Sequence, residues 1–196
     1  MFPLKSEIVK NSESSREPAA APEARTAGLA RTGPDAELLR QCRWEAFRAS
    51  GPGGQKRNKT SSAIRLTHLP TGISAIANES RKQSVNREQA LARLRHRMTI
   101  ALRQEIDLSA FIRPAWFGKE TPGYGRFRIV HRRGIDLGTL GLILDVLAAT
   151  KWSVSDAARL LGMSTSALTG ALSEDPAAWA EISHQRAAMG LKTLKS

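Results

Sequence analysis

Apolar residues are sparse over the first 34 positions and then recur with two distinct periods. Ser, Ala, Pro and Glu dominate residues 1–34, which predicts a disordered segment, because so little apolar surface cannot offset chain entropy. Asp35 can cap a short helix running to about Gln41. From Arg43 to Arg48 charged residues alternate with Trp44, Ala46 and Phe47, and this reads as a strand. Ser62 to His68 sets Ala63, Arg65 and Thr67 against Ile64, Leu66 and His68, a second strand. Leu69-Pro70-Thr71-Gly72 has Pro and Gly in turn positions, and Ile73 to Asn78 returns as the other arm of a hairpin.

The period then lengthens. Leu91, Leu94, Met98 and Leu102 recur at spacings of three and four, one apolar face of a long helix that Ser84 can cap. Residues 105–135 carry Pro114, Pro122, Gly118, Gly123 and Gly125 and read as a basic linker. Trp116, Phe117, Tyr124 and Phe127 are interleaved there with arginines, a mixture suited to stacking on RNA bases or to anchoring the linker on a neighbouring domain. Residues 136–196 return to helical spacing, with Leu137, Leu140, Ile143, Leu144 and Leu147 on one face and a last helix from about Pro176 to Met189. The predicted class is α+β: a small antiparallel sheet with a long packed helix over residues 35–104, followed by an all-α domain.

Charge sharpens this division. The 196 residues carry a formal net charge of +12. Between Arg40 and Arg103 fourteen cations face only Glu45, Glu79 and Glu88, so this segment holds +11 of the excess. A domain so basic predicts a nucleic-acid partner, since phosphate neutralisation supplies most of such affinity. The near absence of acids on the long helix extends that expectation to Arg87, Arg93, Arg95, Arg97 and Arg103. Residues 136–196 are different, with five cations against six acids.

The chemistry-bearing run lies between the first two strands: Ser50-Gly51-Pro52-Gly53-Gly54-Gln55-Lys56-Arg57-Asn58-Lys59-Thr60. Adjacent glycines allow the backbone to approach a ligand closely, and Pro52 restricts φ just before them. Gln55 can donate and accept hydrogen bonds but cannot titrate. Arg48, Lys56, Arg57 and Lys59 surround this neutral tip with positive charge. Cys42 is the single cysteine, which excludes an internal disulfide and a cysteine-based zinc site. No metal ligand set and no cofactor motif is read from the sequence. No apolar run approaches membrane-spanning length, and the first 34 residues lack a secretory core, so a cytoplasmic location is expected.

Residues Cys42 to Leu102 resemble the catalytic domain of class I peptide chain release factors and their ribosome-rescue relatives. The order and spacing of Gly53-Gly54-Gln55, Asn58-Lys59-Thr60, Ser62-Ala63-Ile64-Arg65 and Thr67-His68-Leu69-Pro70-Thr71-Gly72-Ile73 carry the resemblance. Lys56 and Arg57 depart from the His-Val usual in that family. The resemblance implies hydrolysis of the peptidyl-tRNA ester at the peptidyl transferase centre of the large ribosomal subunit, with water as nucleophile. It implies catalytic roles for Gly53, Gly54 and Gln55, the Gln55 backbone N–H stabilising the transition state and its side chain excluding bulkier nucleophiles. It also makes Gln55 a candidate for methylation. Arg48, Lys56, Arg57, Asn58, Lys59, Arg65, Arg81 and Lys82 are the expected RNA-binding set. Only 34 residues and a short helix precede the matching segment, so codon recognition has no evident place, and rescue of stalled ribosomes by a monomeric factor is expected. The alternatives are a non-catalytic ribosome- or RNA-binding protein whose loop Lys56-Arg57 has altered, and a DNA-binding regulator.

The third possibility comes from Trp152 to Leu168, which looks like a helix-turn-helix of the enhancer-binding-protein type, with packed alanines and a turn at Gly162. Its second helix, Ser164 to Ser173, carries no Arg or Lys. Specific DNA readers use basic phosphate contacts and Arg or Asn on base edges. A structural or docking module is therefore expected, and DNA is an unlikely partner.

Overall fold

The computed structural model describes residues 22–48, 62–117, 128–131 and 134–194. Gly53, Gly54, Gln55, Lys56, Arg57, Asn58 and Lys59 lie outside the described residues, as do Tyr124 and Phe127. The first element, α1 (Pro22–Thr32), stands where disorder was expected. Its sequence carries Pro22 at the first helical position, Glu23 in the first turn and Arg31 in the last, each favourable to the helix dipole or its ends. Ala27 and Ala30 are fully buried, so the small residues that suggested disorder serve close helix packing instead.

α2 (Asp35–Arg40) leads into β1 (Cys42–Phe47), β2 (Ala63–His68) and β3 (Ser74–Ala77). They form one antiparallel sheet in the order β1-β2-β3. α2 is capped by Pro34 without a side-chain bond. Asp35, expected to cap it, instead accepts from Arg95 Nε and Nη2 at 3.0 and 2.6 Å. Ile64 and Leu66 on β2, with Ala75 and Ala77 on β3, turn inward against α3 (Gln83–Ala101), which contributes Ala90, Leu91, Leu94 and Met98. His68 ends this inward row, fully buried between Thr71 Oγ1 and Gln41 Oε1 at 2.9 and 3.1 Å. Burial pushes its imidazole below the ordinary histidine range, favouring the neutral ring. Cys42 is half-buried, and burial raises its thiol more than the charge of Arg95 lowers it, which suits a packing role rather than a nucleophile.

A two-stranded ribbon, β4 (Val130–His131) and β5 (Gly134–Ile135), precedes α4 (Leu137–Ala149), α5 (Val154–Leu161), α6 (Thr165–Leu172) and α7 (Pro176–Ala188). Asp136, Ser153, Ser164 and Asp175 accept from the opening backbone N–H groups of α4, α5, α6 and α7. Gly162 joins α5 to α6 at φ +67°, where a Cβ would be strained. These helices enclose a second core of Leu140, Ile143, Leu144, Leu147, Leu161, Leu168 and Leu172. Phe117 and Ile129, in the expected linker, are buried in that core as well. Phe117 is thus an anchor, whereas Trp116 beside it is half exposed.

The two cores are clamped together. Arg31 on α1 forms a buried ion pair with Asp145 on α4, and its Nη2 also donates to Leu102 O at 3.1 Å. The Gln104 backbone N–H donates to Asp145 Oδ1 at 2.9 Å. Gly141 leaves the space on α4 that the Arg31 guanidinium occupies, where a Cβ would clash. On the other side, His96 Nε2 meets Asp175 Oδ2 at 2.6 Å while Asp175 Oδ1 caps α7. Burial alone would raise the Asp175 carboxyl, but its bonds to His96 and to the Ala177 and Ala178 N–H groups hold it below the usual carboxylate range.

Candidate functional site

β1 and β2 fix the ends of the chain segment that carries Gly53-Gly54-Gln55. Phe47 pairs with Ala63 as the last rung of the antiparallel ladder, so the segment leaves and re-enters the domain at one point. A single side chain on α3 secures that point. Asn86 is fully buried and donates from Nδ2 to Ser62 O at 2.7 Å and to Ser80 O at 2.8 Å. Its Oδ1 accepts from the Ser80 N–H at 2.9 Å. One amide thus ties the root of the hairpin to the turn carrying Arg81 and Lys82. That bracing starts α3 at Gln83 with Lys82 as its cap, two residues before the expected Ser84 cap. The role of Asn86 was not read from the sequence, because an isolated Asn in the first turns of a helix carries no pattern that distinguishes a brace from a solvated polar residue.

Of the expected RNA-binding set, Arg48, Arg65, Arg81 and Lys82 are described, and all four are exposed. Arg65 sits on the outer face of the sheet, opposite Glu45 and Ile76, with its guanidinium 5.4 Å from the Phe47 ring centroid. Arg48 follows β1 directly, and Arg43 lies on the same outer face as Arg65. An exposed cationic face therefore leads up to the hairpin root, flanked by Arg81 and Lys82 at the start of α3.

The helix arginines do not all share this role. Arg93 donates to Ile76 O at 2.7 Å and pairs with Glu79 at 2.8 Å, drawing that carboxyl below its ordinary range. Arg97 donates to Ser74 O at 2.6 Å. Arg95 is buried and donates to the carbonyls of Leu29, Ala30 and Gly33, closing the C-terminal end of α1. Arg103 donates to Thr99, Ile100 and Leu102 carbonyls at the end of α3 and lies 5.7 Å from the Trp152 ring. Arg95 and Arg103 are thus turned largely away from solvent, which corrects the expectation for those two, whereas Arg93 and Arg97 bond backbone oxygens while remaining exposed. Arg87 lies over the Trp44 ring at 5.9 Å. Among the described residues no cluster of three His, Cys, Asp or Glu could hold a metal ion. Among the described residues no helix is long and apolar enough to cross a membrane.

A short antiparallel sheet packed on one long helix, with exposed cations around the Phe47–Ala63 rung, defines a small α+β domain. Residues 38–110 match the RF-1 domain, and this part of the chain is similar to the class I release factors. A protein named Peptide chain release factor 1 from Kineococcus radiotolerans is 39% identical over 112 residues, 53% of this chain and 32% of the relative. One of the same name from Nocardioides sp. is 48% identical over 68 residues, 35% of this chain and 19% of the relative. Another, from Flavobacterium johnsoniae, is 37% identical over 116 residues, 55% of this chain and 32% of the relative. The chain thus spans a third or less of the length of these relatives. Residues 141–174, covering most of α4 through α6, match a different family, described as bacterial regulatory protein, Fis family.

Proposed function

We propose that this protein hydrolyses the peptidyl-tRNA ester on the ribosome without reading a stop codon, releasing peptides from stalled complexes. The observation that carries this reading is the braced hairpin root, Phe47–Ala63 with Asn86, beneath Gly53-Gly54-Gln55 in a domain matching RF-1. Water attacks the ester carbonyl, the bond to the tRNA ribose oxygen breaks, and that oxygen leaves protonated. Gln55 needs no titrating group for this, because its contribution is a fixed backbone N–H aimed at the developing oxyanion. Gly53 and Gly54 let the backbone present that N–H. Ribosomal RNA supplies the remaining surroundings, so the free protein is nearly inert. The exposed Arg48, Arg65, Arg81 and Lys82 hold the domain on RNA phosphates, and Gln55 is the position for a methyl modification. The module joined to this domain is helical and clamped directly to α1 and α3.

The test is peptide release from ribosomes with an empty A site, compared with stop-codon complexes. Wild type releases peptide from both. Gly54→Ala lowers the rate about a hundredfold or more, the cost when the Gln55 N–H is no longer aimed at the oxyanion, while co-sedimentation with ribosomes persists. Full release by Gly54→Ala would refute the assignment. Ribosome binding by wild type without release would favour the non-catalytic reading with an altered Lys56-Arg57 segment.

A further inference from the structure

Between α2, the outer edge of β1 and the first turns of α3 lies a groove of about 450 Å³. Leu39, Ile64 and Leu91 form its apolar floor. Trp44 forms its wall. Trp44 pairs across the sheet with Leu66 and so points to the core side, yet β1 is an edge strand. Its indole therefore extends past the sheet and remains 53% exposed. Ser84, Arg87, Glu88 and Leu91 share one helical face on α3 and line the opposite side. The other α3 arginines, Arg93, Arg95 and Arg97, end on oxygens of this chain, whereas Arg87 lies over the Trp44 ring.

From this arrangement we infer a binding site for a single unpaired RNA base, stacked on Trp44, with its phosphate on Arg87. A half-exposed indole offers a flat π face, and an arginine beside it supplies charge to the same nucleotide. An apolar floor accepts the base plane, and polar groups at the rim meet its edge. Of the two rim carboxylates, Asp35 is held by Arg95, which leaves Glu88 to accept from an exocyclic amine. Trp44 stands three residues before the hairpin root at Phe47, about 10 Å along the strand. A base held here would therefore fix the domain beside the same RNA that receives the hairpin. The inference extends the proposed function by adding an RNA contact, but its test does not require peptide release.

The test uses the full chain and a fluorescein-labelled single-stranded oligocytidine, followed by anisotropy over a series of salt concentrations. Trp44→Ala is expected to weaken binding about tenfold or more, the value of one stacked base. Its salt slope should match wild type, because no charge is removed. Trp44→Phe should stay within about threefold of wild type. Arg87→Gln should reduce the salt slope by about one. In parallel, photocrosslinking with a 5-iodocytidine oligonucleotide should modify the tryptic peptide Trp44–Arg48, with the adduct on Trp44. Binding by Trp44→Ala equal to wild type, or crosslinks confined to other parts of the chain, would overturn the site. If circular dichroism shows Trp44→Ala to be unfolded, the Arg87→Gln slope and the crosslink position decide. Peptide release is measured separately, so its absence would count against the hydrolase reading and leave the oligonucleotide result standing.

Discussion

At the scale of single residues, the side chain that matters most to the hairpin does no chemistry. Asn86 spends both amide hydrogens and its oxygen on the backbone of Ser62 and Ser80. A buried amide with every group satisfied holds two chain segments in one geometry, and removing it leaves their carbonyls facing a space without a donor. Asn86→Ala should destabilise the protein by about 2–3 kcal/mol, read as a lower urea midpoint with an unchanged slope. Asn86→Asp keeps the volume and the acceptor but removes both donors, and should cost as much. If either variant unfolds at the wild-type midpoint, Asn86 does not brace the root. The effect should also reach function, because a one-ångström displacement of a catalytic loop is costly in rate. Variants still folded at the assay temperature should release peptide more slowly while binding ribosomes normally.

At the scale of elements, arginine links the parts of this fold. β3 is an edge strand, and exposed edges invite pairing with other chains. Arg93 and Arg97 reach round from α3 and donate to the Ile76 and Ser74 carbonyls. Replacing both with Gln should alter stability only slightly, about 1 kcal/mol, since the bonds are exposed. The expected change is self-association of the double variant, visible as a concentration-dependent sedimentation coefficient. Its salt slope for ribosome binding should stay close to wild type, because those charges serve the sheet. A slope lower by about two would mean that both contact phosphates instead. The same elements show what a sequence conveys. The alternation of Ile64, Leu66 and His68 and the spacing of Leu91, Leu94 and Met98 specify inward faces, and all six are buried. Charge count alone cannot tell an arginine aimed at phosphate from one aimed at a carbonyl, since both need only a cation near the surface. α1 was missed because a composition poor in large apolar residues outweighed its end signals. Pro22 and Arg31 were legible, but the packing partners of Ala27 and Ala30 are distant in sequence. The candidate site was legible as a motif and a charge pattern, and the brace beneath it was not.

At the scale of the molecule, buried charges cross between the two cores. Arg31 and Asp145 are 5% and 2% exposed, so each depends on the other for compensation. Such a pair adds little net stability over a well-packed apolar pair, but losing one partner is expensive. Asp145→Asn should therefore cost about 3 kcal/mol, and Gln104 and Leu102, which also contact the cluster, cannot replace the lost charge. Because Asp145 belongs to α4 and Arg31 to α1, that cost falls on the union of the domains rather than on either core. The contacts through His96 and Asp175 and through Arg103 and Glu181 remain, yet both are partly exposed. Calorimetry should show one unfolding transition for wild type and two for Asp145→Asn. The double variant Arg31→Met, Asp145→Leu removes both charges and should restore one transition. A single wild-type-like transition in Asp145→Asn would mean that apolar contacts alone join the domains. Under the proposed function the distinction matters, because a rigid union fixes where the helical domain stands relative to the Phe47–Ala63 rung. Ribosome binding should weaken in Asp145→Asn more than in the double variant, since only the former lets that domain swing.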